Sequence, residues 1–321
     1  MSTENKKHTP LWRVARGLSS VAFGPLLATD FVKQRVLATE ISHSARTSQA
    51  VNTYKTRFPD KGQDTASQEA PVFIFSAGWG SGSTLLQRLL ISSGELVIWG
   101  EPVDEAFPIH RLSQMIDPVR GTWPPPDHFR EGADPKNLSS EWIANYAPEM
   151  PVYKQAHTQF ISHWLSNGGQ HERWGMKEVR LTIDHAVYLK WLYPNAKFLF
   201  IYRDVMASYL SIRRKPWLSV WPNHVATDIV SFAHHWKHLL EGYLDRHVEV
   251  EGMLVKFEDL ISGEIACESI AEYAGLSSMD ASILEQKIGA RSTRRKPLIL
   301  PERIILNSVT GSLRKRVGYQ S

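Results

Sequence analysis

The stretch VFIFSAGWGSGSTLLQRLL, residues 72–90, limits the fold more than any other part of the chain. It opens on a continuous apolar run, VFIFSA at 72–77, of the kind that fits a strand buried on both faces. Three glycines follow within five residues, Gly78, Gly80 and Gly82. Glycine tolerates positive φ, so the chain can turn tightly and present successive amides inward as an anion nest. The run TLLQRLLISS then reads as a helix with Leu85, Leu86, Leu89 and Leu90 inward. Strand, glycine loop and helix together make a phosphate-binding loop, in which the helix adds its free N–H groups and the positive end of its dipole. Ser81, Ser83 and Thr84 add hydroxyls. The Lys that closes the G-x-x-x-x-G-K-[ST] form of this loop is absent.

Beyond residue 71 apolar strands and helical periods alternate, which predicts an α/β fold with a parallel sheet covered by helices on both faces. The strands expected are 72–77, 96–99, 174–179, 197–202 and 253–260 with its exit, KFLFIY at 197–202 being the clearest. Helices are expected over 182–193, from Asp204 to about Arg214, and over 225–247. A further one closes at Gly275, a glycine C-cap. Residues 103–170 carry no readable code, and 117–137 read as an irregular insertion. The domain division expected is 1–70, a helical extension and linker, and 71–321, the main domain. Within the extension, 9–40 is helical with Leu11, Val14, Ala15, Leu18 and Ala22 on one side. That stripe packs on the main domain or makes a weak membrane-surface or partner contact. Residues 56–70 lack periodicity and read as the linker.

Composition removes several functions. A single cysteine, Cys267, excludes a disulfide framework and suits a reducing, cytoplasmic setting. No apolar run reaches the length of a membrane span, and VAFGPLLA at 21–28 is interrupted by Gly24 and Pro25, unlike a signal peptide. The net charge of +4 comes without a basic stripe or a zinc-finger or homeodomain pattern, so no nucleic-acid partner is expected.

SGSTLLQRLL resembles the 5′-phosphosulfate loop of sulfotransferases that use 3′-phosphoadenosine 5′-phosphosulfate (PAPS). The family pattern is Arg or Lys followed by S-G-[ST]-T, and Gly80 stands here at the cation position. A second segment, KFLFIYRDVMASYLSIRRK at 197–215, is similar to the family's 3′-phosphate motif, a strand ending in Arg-Asp with a Ser about eight residues on. Arg203 falls at a strand's carboxyl end, where open α/β sheets bind ligands. Asp204, Ser208, Ser211 and Lys215 share one helix face by spacing. Arg203 can fork onto a phosphate, with Ser211 adding a further bond.

The resemblance covers roughly residues 71–300 and is strongest at 78–102 and 174–215, towards tyrosylprotein and bacterial carbohydrate sulfotransferases. It implies a P-loop NTPase-like parallel sheet of the sulfotransferase type and PAPS as donor, with no metal ligands. It implies donor contacts from Gly80, Ser81, Gly82, Ser83, Thr84, Arg203, Ser211 and Lys215. A late basic loop supplies more, with Arg294 and Arg295 as candidates alongside Ser292 and Lys296. Glu101, which follows LVIWG in a Gly-Glu pair, is the implied catalytic base. Asp104, Glu105 and His110 stand behind it. Lys177, in WGMKEVR, is the implied cation on the leaving group. Phe257 stands where the tyrosylprotein branch often has Tyr. The acceptor expected is a hydroxyl on a saccharide or glycosylated metabolite, with a tyrosyl peptide second. A P-loop small-molecule kinase and a non-catalytic nucleotide-binding module remain as the other classes. The kinase would need a metal-holding carboxylate that the sequence does not display.

Overall fold

A computed structural model describes residues 26–59, 67–103, 106–129, 134, 136, 143–215, 228–285 and 297–320. Its centre is a five-stranded, wholly parallel sheet: β1 (Val72–Ser76), β2 (Val97–Gly100), β3 (Trp174–Glu178), β4 (Lys197–Tyr202) and β5 (Met253–Lys256), in spatial order β2-β3-β1-β4-β5. The register runs Val72↔Gly175 and Val72↔Lys197 on the two sides of β1, and Leu199↔Met253 outward. This is the α/β parallel-sheet class that the alternation of elements predicts.

Side-chain alternation along the central strands sorts two cores. Phe73, Phe75, Phe198 and Phe200 point to one face, and Val72, Ile74, Leu199 and Ile201 to the other. All eight are fully buried. At about 1.5–3 kcal/mol per large apolar side chain, these strands drive the fold. The aromatic face is covered by α5 (Ile183–Leu192) and α7 (Ile229–Arg246), and α1 (Asp30–Arg57) packs on these two helices. The aliphatic face is covered by α2 (Ser83–Ile91) and α9 (Cys267–Ala274).

Three regions depart from expectation. Residues 103–170 contain α3 (Pro108–Gln114) and the 16-residue α4 (Met150–Leu165), whose Ile161 and Leu165 are core residues. The prolines before it and at its start, from Pro124–Pro126 to Pro148 and Pro151, hid that helix from a periodicity reading. α1 runs through to Arg57 instead of giving way to a linker at 56, and its Val51 and Tyr54 are buried against the main core. The stripe from Leu11 to Ala22 lies outside the described residues. Finally α10 (Leu300–Arg316) packs along α7 and α6 (Val205–Ile212), where no element was expected. The helix α8 (Phe257–Ser262) begins directly at the end of β5.

The chain leaves β1 towards the β2 edge and β4 towards the β5 edge. Two adjacent strands whose connections diverge open a crevice above their carboxyl ends, the usual ligand position in such sheets.

Candidate active site

The loop after β1 has the conformation its glycines imply. Gly78, Gly80 and Gly82 have φ of 78°, 79° and 95°. Gly82 is the N-cap of α2 and carries no side-chain cap, so the first-turn amides and the positive helix end face the crevice. Of the predicted hydroxyls, Thr84 is exposed and Ser83 nearly buried, while Ser81 turns inward to bond Ser76. Ser81 therefore has its backbone amide, not its hydroxyl, to offer an anion.

Gly80, which the sequence leaves as a missing cation, has a packing reason. A Cβ at this position would lie 2.8 Å from the Ser208 carbonyl oxygen and 3.2 Å from Ser211 Cβ and Ile212 Cγ2. The loop is pressed against α6, and the positive φ adds strain for any L side chain. No Arg or Lys fits here without α6 moving.

The loop after β4 comes from the adjacent strand and meets the first one. Arg203 Nη1 donates to the Gly80 carbonyl at 3.4 Å. Its guanidinium lies 4.3 Å above the Phe257 ring, and its own carbonyl accepts from Trp236 Nε1 at 3.0 Å. Phe257 wedges between the two loops, because a Cβ at Gly82 would fall 2.1 Å from the same ring. The Tyr-to-Phe departure thus leaves an aromatic face that orients Arg203.

On α6 the predicted common face is only partly present. Asp204 caps the helix by accepting from Met206 N–H at 3.1 Å. Ser208 is fully buried and Ser211 half-buried beside Gly80. Lys215 lies past the helix, which stops at Ile212, and is exposed. This corrects the spacing argument: the helix ends before the residue that would extend its face. Arg294 and Arg295 lie outside the described residues, as do Asp104 and Glu105.

Across β1 from these loops, Gly100 of β2 pairs with Lys177 of β3. Glu101 N–H donates to the Lys177 carbonyl at 2.8 Å, and the two side chains form an ion pair. Lys177 is nearly buried, whereas Glu101 is partly open to solvent. Glu101 has φ 33°, outside the range a β-strand end requires, so its carboxylate is aimed by a strained backbone. Gln87 of α2 donates to the Ile98 carbonyl at 2.8 Å and ties the phosphate-loop helix to β2. Behind the pair, Glu178 is buried against Arg180 at 3.3 Å, and Arg180 stacks 4.2 Å over Phe107. Burial pushes the Glu178 carboxyl up, Arg180 opposes this, and the Glu101 charge adds to the rise.

His110 bonds His185 Nε2 through Nδ1 at 3.0 Å and Gln114 through Nε2 at 2.9 Å. With both ring nitrogens engaged it belongs to a packed network. Sequence reasoning missed Gln87, Arg180 and Phe107, whose roles depend on which chain segments become neighbours.

A sequence model of the sulfotransferase family matches residues 71–280. Protein-tyrosine sulfotransferase 2 of Gallus gallus is 23% identical over 227 residues. That alignment covers 69% of this chain and 56% of the relative, so the chain spans little more than half of that curated protein.

Proposed function

The chain belongs to the sulfotransferase family, and we propose that it transfers a sulfuryl group from PAPS to a hydroxyl of an acceptor. One observation carries the reading. Two anion-type loops on adjacent strands touch through Arg203 and Gly80, and an acid–cation pair, Glu101 and Lys177, stands at the ends of the next two strands. These residues suit a nucleotide with phosphates at two positions. The glycine loop, the α2 N-terminus and Thr84 would hold its 5′ end, and Arg203 with Ser211 its 3′ phosphate. Lys215, Arg294 and Arg295 stay in the proposal as outer cations, on the sequence alone.

Sulfuryl transfer requires a proton to leave the acceptor and charge to be neutralised on the departing phosphate. Glu101 would take the proton. Lys177 would face the developing negative charge, and its near burial strengthens that interaction over one in bulk water. The absence of a cation at position 80 fits this division, since cationic charge comes from Arg203 and Lys177 instead.

The acceptor hydroxyl is proposed to sit on a saccharide, in a cytoplasmic setting. A tyrosyl peptide is the second reading, favoured by the name of the Gallus gallus relative. Calorimetry with adenosine 3′,5′-bisphosphate and with ATP is the first test. Binding of the bisphosphate but not of ATP is expected; the reverse would remove the sulfotransferase reading and leave a kinase. Bisphosphate binding without turnover on any saccharide or tyrosyl acceptor would leave the non-catalytic module.

A further inference from the structure

The family match ends at residue 280, yet the helix beside the glycine loop is held from beyond it. Arg314 of α10 donates from Nε to Asp204 Oδ1 at 3.0 Å and from Nη2 to Oδ2 at 3.1 Å, a bidentate fork. The same guanidinium reaches Asn307 Oδ1 at 3.2 Å and the Gln320 carbonyl at 2.7 Å, and the residue is nearly buried. Asp204 is the N-cap of α6 and directly follows Arg203. Its N–H donates to Glu258 Oε1 at 3.3 Å, and Glu258 Oε2 accepts from Tyr319 at 2.7 Å. At the other end of α6, Arg213 donates to Glu302 of α10 and to the Pro297 carbonyl at 3.0 Å.

A single C-terminal helix therefore grips both ends of an eight-residue helix. Between the grips lie Ser208 and Ser211, which touch Gly80, and just before them Arg203. A short helix holds little stability of its own, so its position is set by such contacts. We propose that Arg314 is a positioning residue for recognition of the donor's 3′ phosphate: it holds Asp204 and, through it, fixes Arg203 and Ser211 against the glycine loop. This rests on the proposed donor site. Arg314 touches no donor atom in this scheme and acts through Asp204.

A merely structural clamp would affect all nucleotides alike, so the test compares two of them. Calorimetry gives the ratio of dissociation constants for AMP and adenosine 3′,5′-bisphosphate, which differ in the 3′ phosphate. In Arg314→Ala that ratio should fall about tenfold, the scale expected when a phosphate-binding group is displaced by an ångström or less. AMP affinity should stay within about twofold, since the 5′ loop retains its own glycine geometry. Arg314→Lys keeps the charge but loses the fork, and should fall between wild type and Ala. It also serves if the Ala variant does not fold. A wild-type protein with no preference for the bisphosphate removes the donor reading itself. A wild-type preference that survives unchanged in the folded variants removes only the role of Arg314.

Discussion

Lys177 and Glu101, the two side chains with opposite duties in the proposed transfer, hold each other across the carboxyl ends of β3 and β2. The carboxylate that should accept a proton thus already has its counter-ion, and the ammonium that should meet the leaving phosphate is fixed beside the acceptor's base. Replacing Glu101 with Gln keeps the side chain's size and removes its basicity. Transfer should fall by about 10²-fold or more, the usual contribution of a general base. Bisphosphate affinity should stay within about threefold, since Glu101 follows β2 and the loops proposed to hold the donor follow β1 and β4. Steady-state rates and calorimetry on one preparation decide this. An active Gln variant would move the base elsewhere.

Gly80 gives the second prediction, in a direction the sequence does not suggest. Viewed as a lost cation, it invites Arg as a repair. The 2.8 Å approach to the Ser208 carbonyl, together with φ of 79°, says that any side chain pushes α6 away from the loop. Gly80→Ala should cost about 1–3 kcal/mol of stability, from strain and overpacking. Gly80→Arg should bind the bisphosphate more weakly than wild type despite its added charge. Tighter binding by the Arg variant would show that the loop opens readily and that packing is not what keeps glycine there.

Phe257 supplies a third. Its ring carries Arg203 on one side and abuts Gly82 on another, so it sets the distance between the two donor loops. Phe257→Leu retains apolar volume but removes the π face, worth about 0.5–2 kcal/mol for a partly desolvated guanidinium. Bisphosphate affinity should drop by about two- to thirtyfold, which is that energy expressed as an equilibrium constant. Phe257→Tyr should bind at least as well as wild type. Equal binding by the Leu variant would detach Phe257 from the site.

The sheet and the two loops that follow β1 and β4 were legible because their signals are local. A buried parallel strand is a run of apolar residues, and a glycine loop before a leucine-rich helix states its own geometry. KFLFIY and VFIFS fell where expected for that reason. Glu101 and Lys177 could each be named from a strand end, but their pairing needs β2 beside β3, a neighbourhood no spacing reveals. Gly80 could not be understood from its own segment, since what excludes a side chain there is a carbonyl 128 residues later in the chain. α10 was missed although Leu306, Val309, Thr310 and Leu313 stand at helical spacing, because that stripe is short and two of its buried residues, Thr310 and Arg314, are polar.

Acid stability follows from two buried histidines away from the chemistry. His185, 3% exposed, is held near a pKa of about 3 by burial first and by the neighbouring His110, with His238 adding and Asp184 opposing. His157, 4% exposed, is lowered by burial to about 4; its Nδ1 meets Tyr188 Oη at 2.6 Å, and its Nε2 has no hydrogen-bond partner. Both stay neutral in the folded protein where the unfolded chain, titrating near 6.5, takes up protons. The unfolded state then binds more protons, so stability is whole above pH 6.5 and falls as pH drops from there towards 4 and 3. At pH 5 the loss should be about 2 kcal/mol per histidine, a large part of a typical domain's margin. Urea unfolding at pH 7 and pH 5 measures it. His157→Phe has no proton to take up at that site, so its stability should change by about 2 kcal/mol less than wild type between the two pH values, whatever its starting stability. An identical pH slope in the two proteins would mean that His157 is charged in the folded state, or that the core admits water to reach it.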